Sequence, residues 1–558
     1  MGRLNRYLIV SGIVAISIFP FWFSRRFDTD AQVSKQLPTS VTVGNSAPVF
    51  TVAPYEDPVS HTTSQTAVGA KITFRATATD ANNENYYLIL CSTNSVTAGT
   101  SGGPPSCGGT KYCGSGSTVS GVASSCEYTT EQEDPYSNVW YAFACDANTA
   151  SSTCSSYSQG SGNSGSPFYV NHPPVFTAIS NNSPRNPGAS VTWSATANDT
   201  LDGGTVKLLV CKTQAMSSGA CTGGQWCASS LVASNPTCSY SIPNPNASGS
   251  NNAYVYIVDA TNTPASGTNP QTTNVPFVVN NIAPVVSGVK LNNEGAITLI
   301  ESSTKSVSVE ATVVDDNGCA GGEINNVKTY VYRSGIGYTG CDTSGEGNGN
   351  HCYPEHTCTA GTCSSKTVVY TCTVPLQYYA EATDVTNIAY NYSTQNWLAT
   401  VKATDKGSAI GTAVSATGVN VNSLAAFSVS PTSISYPGRT AGQTGTSLET
   451  TTVLTPTGNV PLDQNLSGTQ MCTNYPTCTG GTPIDVGQQK YSLTTGTAWT
   501  SGTALTTTPV LANINIPKVN NGTVTTKTIW WGIQIATGTV AGTYTGVNTI
   551  TSVIDTTN

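Results

Sequence analysis

Apolar and polar residues alternate strictly in three long segments of this chain. The segments AKITFRATATD, ASVTWSATAND and KSVSVEATVVDD begin at Ala70, Ala189 and Lys305. A period of two predicts β-strands with one face in a core and the other in solvent. Each segment runs into a loop that carries Asp, and the first two are followed by the apolar strands YYLILC and VKLLVC. After the third segment, NVKTYVYRSG stands where the first two have this apolar strand. The same order of alternating strand, Asp-bearing loop and apolar strand therefore occurs three times.

A short phrase marks the start of each repeat. PFYVNHPPVF and PFVVNNIAPVV place Pro174 and Pro284 about 110 residues apart, VGNSAPVF is an earlier copy, and VNSLAAFSVS from Val421 to Ser430 is a fourth, weaker one. Repeats of this length predict one β-sandwich each. We therefore predict an all-β chain of tandem immunoglobulin-like sandwiches: 46–171, 172–281, 282–423 with a Cys-rich insertion, and 424–558, after a linker at 32–45.

The first 31 residues predict export. Arg3 and Arg6 precede an uncharged apolar run at 7–23, and Arg25 and Arg26 follow it. This hydrophobic segment, expected to be helical, is either a signal peptide cleaved after Ala31 or an uncleaved membrane anchor. Both alternatives remain open. We expect membrane contact only through this segment.

The composition limits which cellular compartment and which binding partners this chain can have. Only 9% of the residues are charged, against roughly 25% in an ordinary soluble domain. The net charge of −8 offers no electrostatic footprint for nucleic acid, which we exclude as a partner. Eighteen cysteines are too many for a reducing compartment unless they bind metal. They divide evenly among the predicted modules: Cys91, Cys107, Cys113, Cys126, Cys145 and Cys154; Cys211, Cys221, Cys227 and Cys238; Cys319, Cys341, Cys352, Cys358, Cys363 and Cys372; Cys472 and Cys478.

Even numbers predict that every disulfide closes within its own module, in an extracellular setting. The second module lacks counterparts of both Cys145 and Cys154, which predicts a bond between those two, and Cys472 is expected to pair with Cys478. The alternative is zinc at HCYPEHTCTAGTC, with ligands from His351, Cys352, His356, Cys358 and Cys363. This spacing fits no established zinc finger, and we favour disulfides.

Carboxylates recur where the alternating strands end. The pairs are Asp80 with Glu84, Asp199 with Asp202, and Asp315 with Asp316. Clustered oxygens at one topological place predict weak calcium binding. The alternative is that these side chains only accept backbone hydrogen bonds in turns. Calcium is the one cofactor that the sequence suggests.

Other candidate chemistry is sparse. The four histidines are scattered over three modules, so we predict no catalytic activity. Trp226 stands in a loop between Cys221 and Cys227 and is the best candidate for stacking on a glycan.

The modules resemble tandem immunoglobulin-like and cadherin-like repeats of bacterial surface proteins. The stretches YTC, LQYYAEATD, NWLATVKATD and WWGIQIATGT are similar to segments of large secreted proteins from small uncultured bacteria. The resemblance implies a location on the cell surface. The short phrases that mark the start of each repeat, which we call joints, also resemble the cadherin linker D-x-N-D-N-x-P-x-F. In this chain Asn45, Asn171, Asn280 and Asn281 stand without the carboxylates of that linker, so its calcium binding does not carry over.

These observations predict a non-enzymatic, secreted structural protein of the cell surface. Its main partner is expected to be itself, in a surface layer of S-layer type or in a filament. The alternative is an adhesin that binds a glycan or a protein on another cell.

Overall fold

A computed structural model describes residues 40–267, 271–342 and 347–557. The predicted signal or anchor at 1–31 lies outside them. Within the described residues, no helix is long and apolar enough to cross a membrane. The α-helix α1 (Gly337–Asp342) and five short 3-10 turns interrupt a chain that is otherwise built from strands, which confirms the all-β class. The 3-10 turns are Thr100–Gly102, Gly162–Ser164, Asn292–Glu294, Val486–Gln488 and Trp499–Ser501.

Residues 40–64, 71–129 and 138–168 form one compact unit. In it β1, β3 and β8 make one antiparallel sheet, and β10, β4 and β7 make another. The predicted core face of β3, from Ile72 to Ala78, is fully buried. The strands up to residue 171 are β1 (Val49–Asp57), β2 (Thr66–Ala67), β3 (Lys71–Thr79), β4 (Tyr86–Cys91), β5 (Val96–Thr97), β6 (Ser106–Cys107), β7 (Lys111–Gly114), β8 (Ala123–Thr129), β9 (Ser137–Asn138), β10 (Tyr141–Asp146) and β11 (Phe168–Asn171).

The rest of the described chain forms a second compact unit. Its first part repeats the same plan, because β12, β13 and β18 face a sheet in the order β17, β14, β20, β21. Trp193 and Phe277 meet edge to face in the core between them. Two antiparallel sheets with this order match the immunoglobulin-like sandwich. The strands are β12 (Val175–Asn181), β13 (Ser190–Asn198), β14 (Val206–Cys211), β15 (Met216–Ser217), β16 (Ala220–Cys221), β17 (Gln225–Ala228), β18 (Thr237–Ser241), β19 (Gly249–Asn251), β20 (Tyr254–Asp259), β21 (Thr273–Asn274) and β22 (Phe277–Val279).

The third sandwich is one continuous sheet of seven strands. Its strand β26 pairs with β25 up to Thr357 and then with β27 from Cys358 onward, so one strand belongs to both layers. Trp397 is completely buried in the core that the folded sheet encloses. The strands are β23 (Val285–Leu291), β24 (Thr304–Val314), β25 (Ile324–Arg333), β26 (Cys352–Ala360), β27 (Thr367–Gln377), β28 (Trp397–Asp405) and β29 (Ile410–Val414).

The fourth sandwich corrects one expectation about turns. TVLTPTGNVPLDQNLSG predicts a hairpin around Thr457, Gly458 and Asn459, because Thr-Gly-Asn is a turn signal. In the structure β31 and β32 belong to different sheets, so the segment crosses between layers. The sheets are β30-β31-β36-β33-β34 and β35-β32-β37. The strands are β30 (Phe427–Ser430), β31 (Thr450–Pro456), β32 (Leu462–Gly468), β33 (Gln489–Ser492), β34 (Thr503–Ala504), β35 (Val510–Leu511), β36 (Lys527–Ile533) and β37 (Asn548–Ile554).

All eighteen cysteines form disulfides, and each bond stays within one predicted module. The zinc alternative therefore has no thiolates left in the Cys-rich insertion. Nine disulfides point to an oxidising, extracellular environment. The bonds are Cys91–Cys107, Cys113–Cys126, Cys145–Cys154, Cys211–Cys221, Cys227–Cys238, Cys319–Cys363, Cys341–Cys352, Cys358–Cys372 and Cys472–Cys478.

The longest and shortest disulfide loops should differ in their stabilising effect. Cys319–Cys363 closes 44 residues and Cys472–Cys478 closes 6. Loop-closure entropy predicts that C319S/C363S lowers the free energy of unfolding by about 4 kcal/mol, and C472S/C478S by about 2 kcal/mol. Denaturant unfolding of the two double variants beside the unmodified chain measures both values. Equal losses, or a larger loss in C472S/C478S, would contradict the entropic explanation.

Candidate metal sites at the module joints

An asparagine at each of the first three joints binds the aspartate that ends a buried strand. This aspartate is the last residue of β10, β20 or β28. The Nδ2 of the joint asparagine donates a hydrogen bond to the Oδ2 of this aspartate. The bond holds the chain in place where it enters the module. The three bonds are Asn45 to Asp146 (2.8 Å), Asn171 to Asp259 (2.7 Å) and Asn281 to Asp405 (2.7 Å).

A second hydrogen bond holds the next residue of each joint. Its backbone N–H donates to an Asn or Asp in the loop after the alternating strand. The bonds are Ser46 to Asn82 (2.9 Å), His172 to Asp202 (2.6 Å) and Ile282 to Asn317 (2.6 Å). At the weaker fourth copy, Leu424 N–H donates to Asn459 Oδ1 at 2.7 Å. Asn459 Nδ2 also donates to the carbonyl of Asn422 at 3.1 Å, so this joint keeps the contact although the sequence has diverged.

Three carboxylates converge at the first joint. Asp80, Glu84 and Asp146 each place one oxygen within 4.8 Å of the other two. Asp80 is only 6% exposed, and its Oδ2 and the Oε2 of Glu84 are buried without a hydrogen-bond partner. A buried carboxylate oxygen without a partner costs several kcal/mol, whereas a bound cation would satisfy it. We name Asn45, Asp80, Glu84 and Asp146 joint site 1.

The third joint also has buried carboxylates, although among the described residues only Asp80, Glu84 and Asp146 place oxygens within 4.8 Å of one another. Asp315 and Glu323 are 1% and 5% exposed, and Asp315 Oδ2 and Glu323 Oε2 are again buried without a partner. Burial, with a smaller contribution from the charges of Asp405, Glu323 and Asp316, raises the pKa of Asp315 to about 6, although a backbone hydrogen bond from Asn317 lowers it. We name Asn281, Asp315, Glu323 and Asp405 joint site 3. A cation would relieve the mutual repulsion of these carboxylates.

The second joint differs because a histidine occupies it. His172 Nδ1 lies 2.6 Å from Asp202 Oδ1, and both side chains are almost fully buried. Asp199 Oδ1 remains without a partner, and burial raises the pKa of Asp199 to about 6, with a contribution from Asp202 and Asp259 that His172 opposes. We name Asn171, Asp199, Asp202 and Asp259 joint site 2. Here the imidazole of His172 is hydrogen-bonded to the Asp202 carboxylate, which would otherwise face a cation.

The structure changes part of the expected ligand set. Asp80 and Glu84 come together, and Asp199 interacts with Asp202. Asp316 does not complete the third pair: its Oδ1 lies 2.8 Å from Lys366 Nζ, an ion pair that lowers the pKa of Asp316. Glu323 takes its place. The sequence interpretation also missed the strand-ending aspartates, although ACDANT, IVDATNT and VKATDKG each show an Asp directly after an apolar strand: Asp146, Asp259 and Asp405.

Trp226 is engaged in the second core. Its indole N–H donates to the carbonyl of Asn252 at 2.9 Å, and Phe277 packs against its ring in a T shape at 5.0 Å. Lys212 Nζ lies 4.5 Å from the ring centroid. These contacts leave little of the ring free to stack on a sugar, which weakens the glycan hypothesis.

No family model and no curated protein matches this chain. Solved structures with similar folds include a marsupial T cell receptor, at 10% identity and a TM-score of 0.29, covering 65% of this chain and 99% of that one. The mouse nectin-like molecule 4 ectodomain has 10% identity and a TM-score of 0.27, covering 64% and 96%. The protocadherin GammaB4 extracellular domain has 11% identity and a TM-score of 0.25, covering 92% and 68%. Such distant similarity carries no argument about function, which must be inferred from the geometry of the chain itself.

Proposed function

We propose that this chain is a non-enzymatic structural protein of the cell surface whose sandwich modules are braced by calcium and which assembles with copies of itself. The observation that carries this proposal is the repeated joint. There an asparagine that is hydrogen-bonded to the strand-ending aspartate lies beside buried carboxylate oxygens without hydrogen-bond partners. Bracing a joint is a mechanical role. It suits a protein whose modules must hold a fixed spacing in a coat or filament.

Calcium fits joint sites 1 and 3 better than other metals. Both sites offer carboxylate oxygens without thiolate or imidazole, and such oxygen ligands suit hard cations. Calcium accepts six to eight oxygens in flexible geometry, whereas magnesium requires a compact octahedron. Each site supplies only three carboxylates, so the expected dissociation constant is about 10⁻⁴–10⁻³ M, as in extracellular modules. Water would complete the coordination.

The buried His172–Asp202 pair argues for a structural role of the second joint. A catalytic dyad needs an open path to substrate, but the side chains of His172 and Asp202 are only 2% and 3% exposed. The other described histidines lie elsewhere, with His351 and His356 in or beside β26 and His61 in a turn. Acid–base catalysis requires a base within hydrogen-bond reach of a bound substrate, which this pair does not offer.

The low charge of the chain supports self-association. Exposed sheet edges usually carry charged residues that block pairing with another chain. The edge strand β29, with the sequence IGTAV, has none, and Ile410 and Val414 on it are both 51% exposed. Neutral contacts between such edges depend little on salt, unlike ion pairs. A repeating contact whose rotation does not close extends into a fibre or sheet.

Calorimetric titration of the full chain with calcium tests the proposal. We expect binding at joint sites 1 and 3 with a dissociation constant of about 10⁻⁴–10⁻³ M, and no binding at joint site 2, where His172 engages Asp202. D80N and D315N should each remove one of the two binding events. Magnesium, titrated in parallel, should bind at least about tenfold more weakly. Absence of calcium binding at millimolar concentration, in the unmodified chain, would refute calcium bracing.

A further inference from the structure

The last strand of the fourth sandwich has an open edge. β37 corresponds to β20 of the second sandwich, because β20 ends at Asp259 and β37 is followed by Asp555. The Oδ1 of each aspartate accepts from the N–H and the hydroxyl of a threonine two residues later. β20 pairs on both sides, with β14 and β21, and the equivalent β28 pairs with β25 and β29. Among the described residues, β37 pairs with β32 alone.

The open edge leaves apolar surface uncovered. Every residue of β20 from Val255 to Asp259 is buried, whereas no residue of β37 is. Ile550 and Ile554 pack against the fourth core and yet remain only partly buried. The strand lacks the cover that a neighbouring strand supplies in the second and third sandwiches.

A cleft of about 470 Å³ lies beside this strand. Its apolar lining comes from β37 and the chain before it, from the segment 429–436, and from one methionine. Thr452 and Gln489 contribute buried polar groups at 1% and 2% exposure. None of the described residues that line the cleft is charged, so an uncharged apolar segment can enter without burying a charge. The apolar lining residues are Val429, Ile434, Tyr436, Met471, Val547 and Ile550.

The chain itself contains a segment suited to this cleft. Residues 40–44 read SVTVG and form no regular secondary structure. Val41 and Val43 are 83% and 73% exposed, the largest exposures among the described large apolar side chains. In an extended conformation the two valines project from the same face about 7 Å apart. The segment carries no charge and, as β-branched residues in alternation, favours a strand.

We propose that residues 40–44 of one copy add a strand to the open edge of β37 in a second copy and place Val41 and Val43 in the cleft. Main-chain hydrogen bonds along β37 would provide affinity, and the two valines would provide specificity, as in other cases of strand addition. The contact joins two different surfaces, so it generates an open chain of subunits when its rotation does not close a ring. This inference rests on the proposed self-assembly and specifies the contact between copies that produces it.

Sedimentation and light scattering of the full chain, in non-ionic detergent, test this contact. We expect mass to grow with concentration in the unmodified chain, and V41D/V43D to need at least about ten times more protein for the same mass, because two apolar anchors are lost. V547D, in the cleft and 46% exposed in the free chain, should have the same effect. A peptide of residues 37–44 should cap the chains and shorten them.

V119D/V122D is the matched control. Val119 and Val122 are 57% and 52% exposed in a turn, so this variant adds two charges at similarly exposed valines and should assemble like the unmodified chain. Hydrogen exchange should show that the amides of β37 become protected on assembly. Assembly that persists in V41D/V43D and V547D would overturn this contact but leave self-assembly standing. A chain that stays monomeric at all concentrations would overturn both, and calcium titration would still test the bracing separately.

Discussion

Replacing Asp315 by Asn should raise the melting temperature in chelator and lower it in calcium. The Asp315 carboxyl, 1% exposed, has its pKa raised from 3.8 to about 6 by burial and by neighbouring carboxylates. The folded state therefore disfavours the charge, and Asn removes that penalty, by about 1–2 kcal/mol after solvent screening. With calcium, D315N loses a ligand and with it about 2–3 kcal/mol of binding stabilisation at a hundredfold excess over the dissociation constant.

The same shift predicts how stability depends on pH without calcium. Because the pKa is higher in the folded than in the unfolded chain, the folded state holds more protons between about pH 4 and about pH 6. Stability should therefore fall as the pH rises through this window and level off above it, and D315N should flatten the curve. Calcium should reverse the slope, because only the ionised carboxylates bind it.

D316N is the matched control for Asp315. Asp316 is the next residue, but it pairs with Lys366 at a joint surface where both side chains are 38–39% exposed. Loss of the Asp316–Lys366 ion pair in D316N should lower the free energy of unfolding by at most about 1 kcal/mol, equally with and without calcium. If D315N lowered the melting temperature in chelator as well, Asp315 would be a stabilising turn residue and the calcium proposal for joint site 3 would fail.

Replacing Glu381 by Gln should destabilise the chain by about 3–5 kcal/mol, because it leaves a buried guanidinium, Arg333, and a partly buried ammonium, Lys518, without this counter-charge. Glu381 is 5% exposed, and its carboxylate accepts from Arg333 Nε at 2.6 Å and from Lys518 Nζ at 2.8 Å. Arg333 belongs to β25 of the third sandwich, whereas Lys518 lies in the fourth predicted module. The triad therefore connects these two modules, and denaturant unfolding of E381Q measures its contribution.

E355Q is the corresponding surface variant. Glu355 pairs with Lys328 at 2.8 Å, but its side chain is 58% exposed, so its removal should cost less than about 1 kcal/mol. K518M should restore part of the stability of E381Q, since it removes one of the uncompensated charges. A loss in E381Q no larger than that in E355Q would show that water reaches the triad and that it does not hold the modules together.

Features that depend on neighbours along the chain could be predicted well. The core face of β3 follows from alternation alone, because successive side chains of a strand point to opposite faces. The bond between Cys145 and Cys154 followed from the absence of both cysteines in the second module. The positions of the carboxylates at strand ends were also visible, since Asp80 and Asp315 stand at the ends of the alternating segments.

Which of these groups meet was decided by the tertiary structure. Asp146 joins Asp80 although the two are distant in sequence, because β10 and β3 belong to opposite sheets of one sandwich and end on the same side. Asp316 follows Asp315 in sequence, yet it turns to Lys366, whereas the more distant Glu323 faces the cluster. The turn signal at 457–459 indicated a hairpin locally, but packing of two sheets separates the flanking strands.

By itself, the sequence determined the long alternating strands with their buried faces, the confinement of each disulfide to one predicted module and two of the nine bonds, Cys145–Cys154 and Cys472–Cys478. These properties are encoded in local periodicity and spacing. Only the tertiary structure decided the members of the joint sites, the passage of β26 between two layers and the open edge of β37. Each of these depends on which distant strands lie side by side, and alternation is the same for a strand with one neighbour or with two.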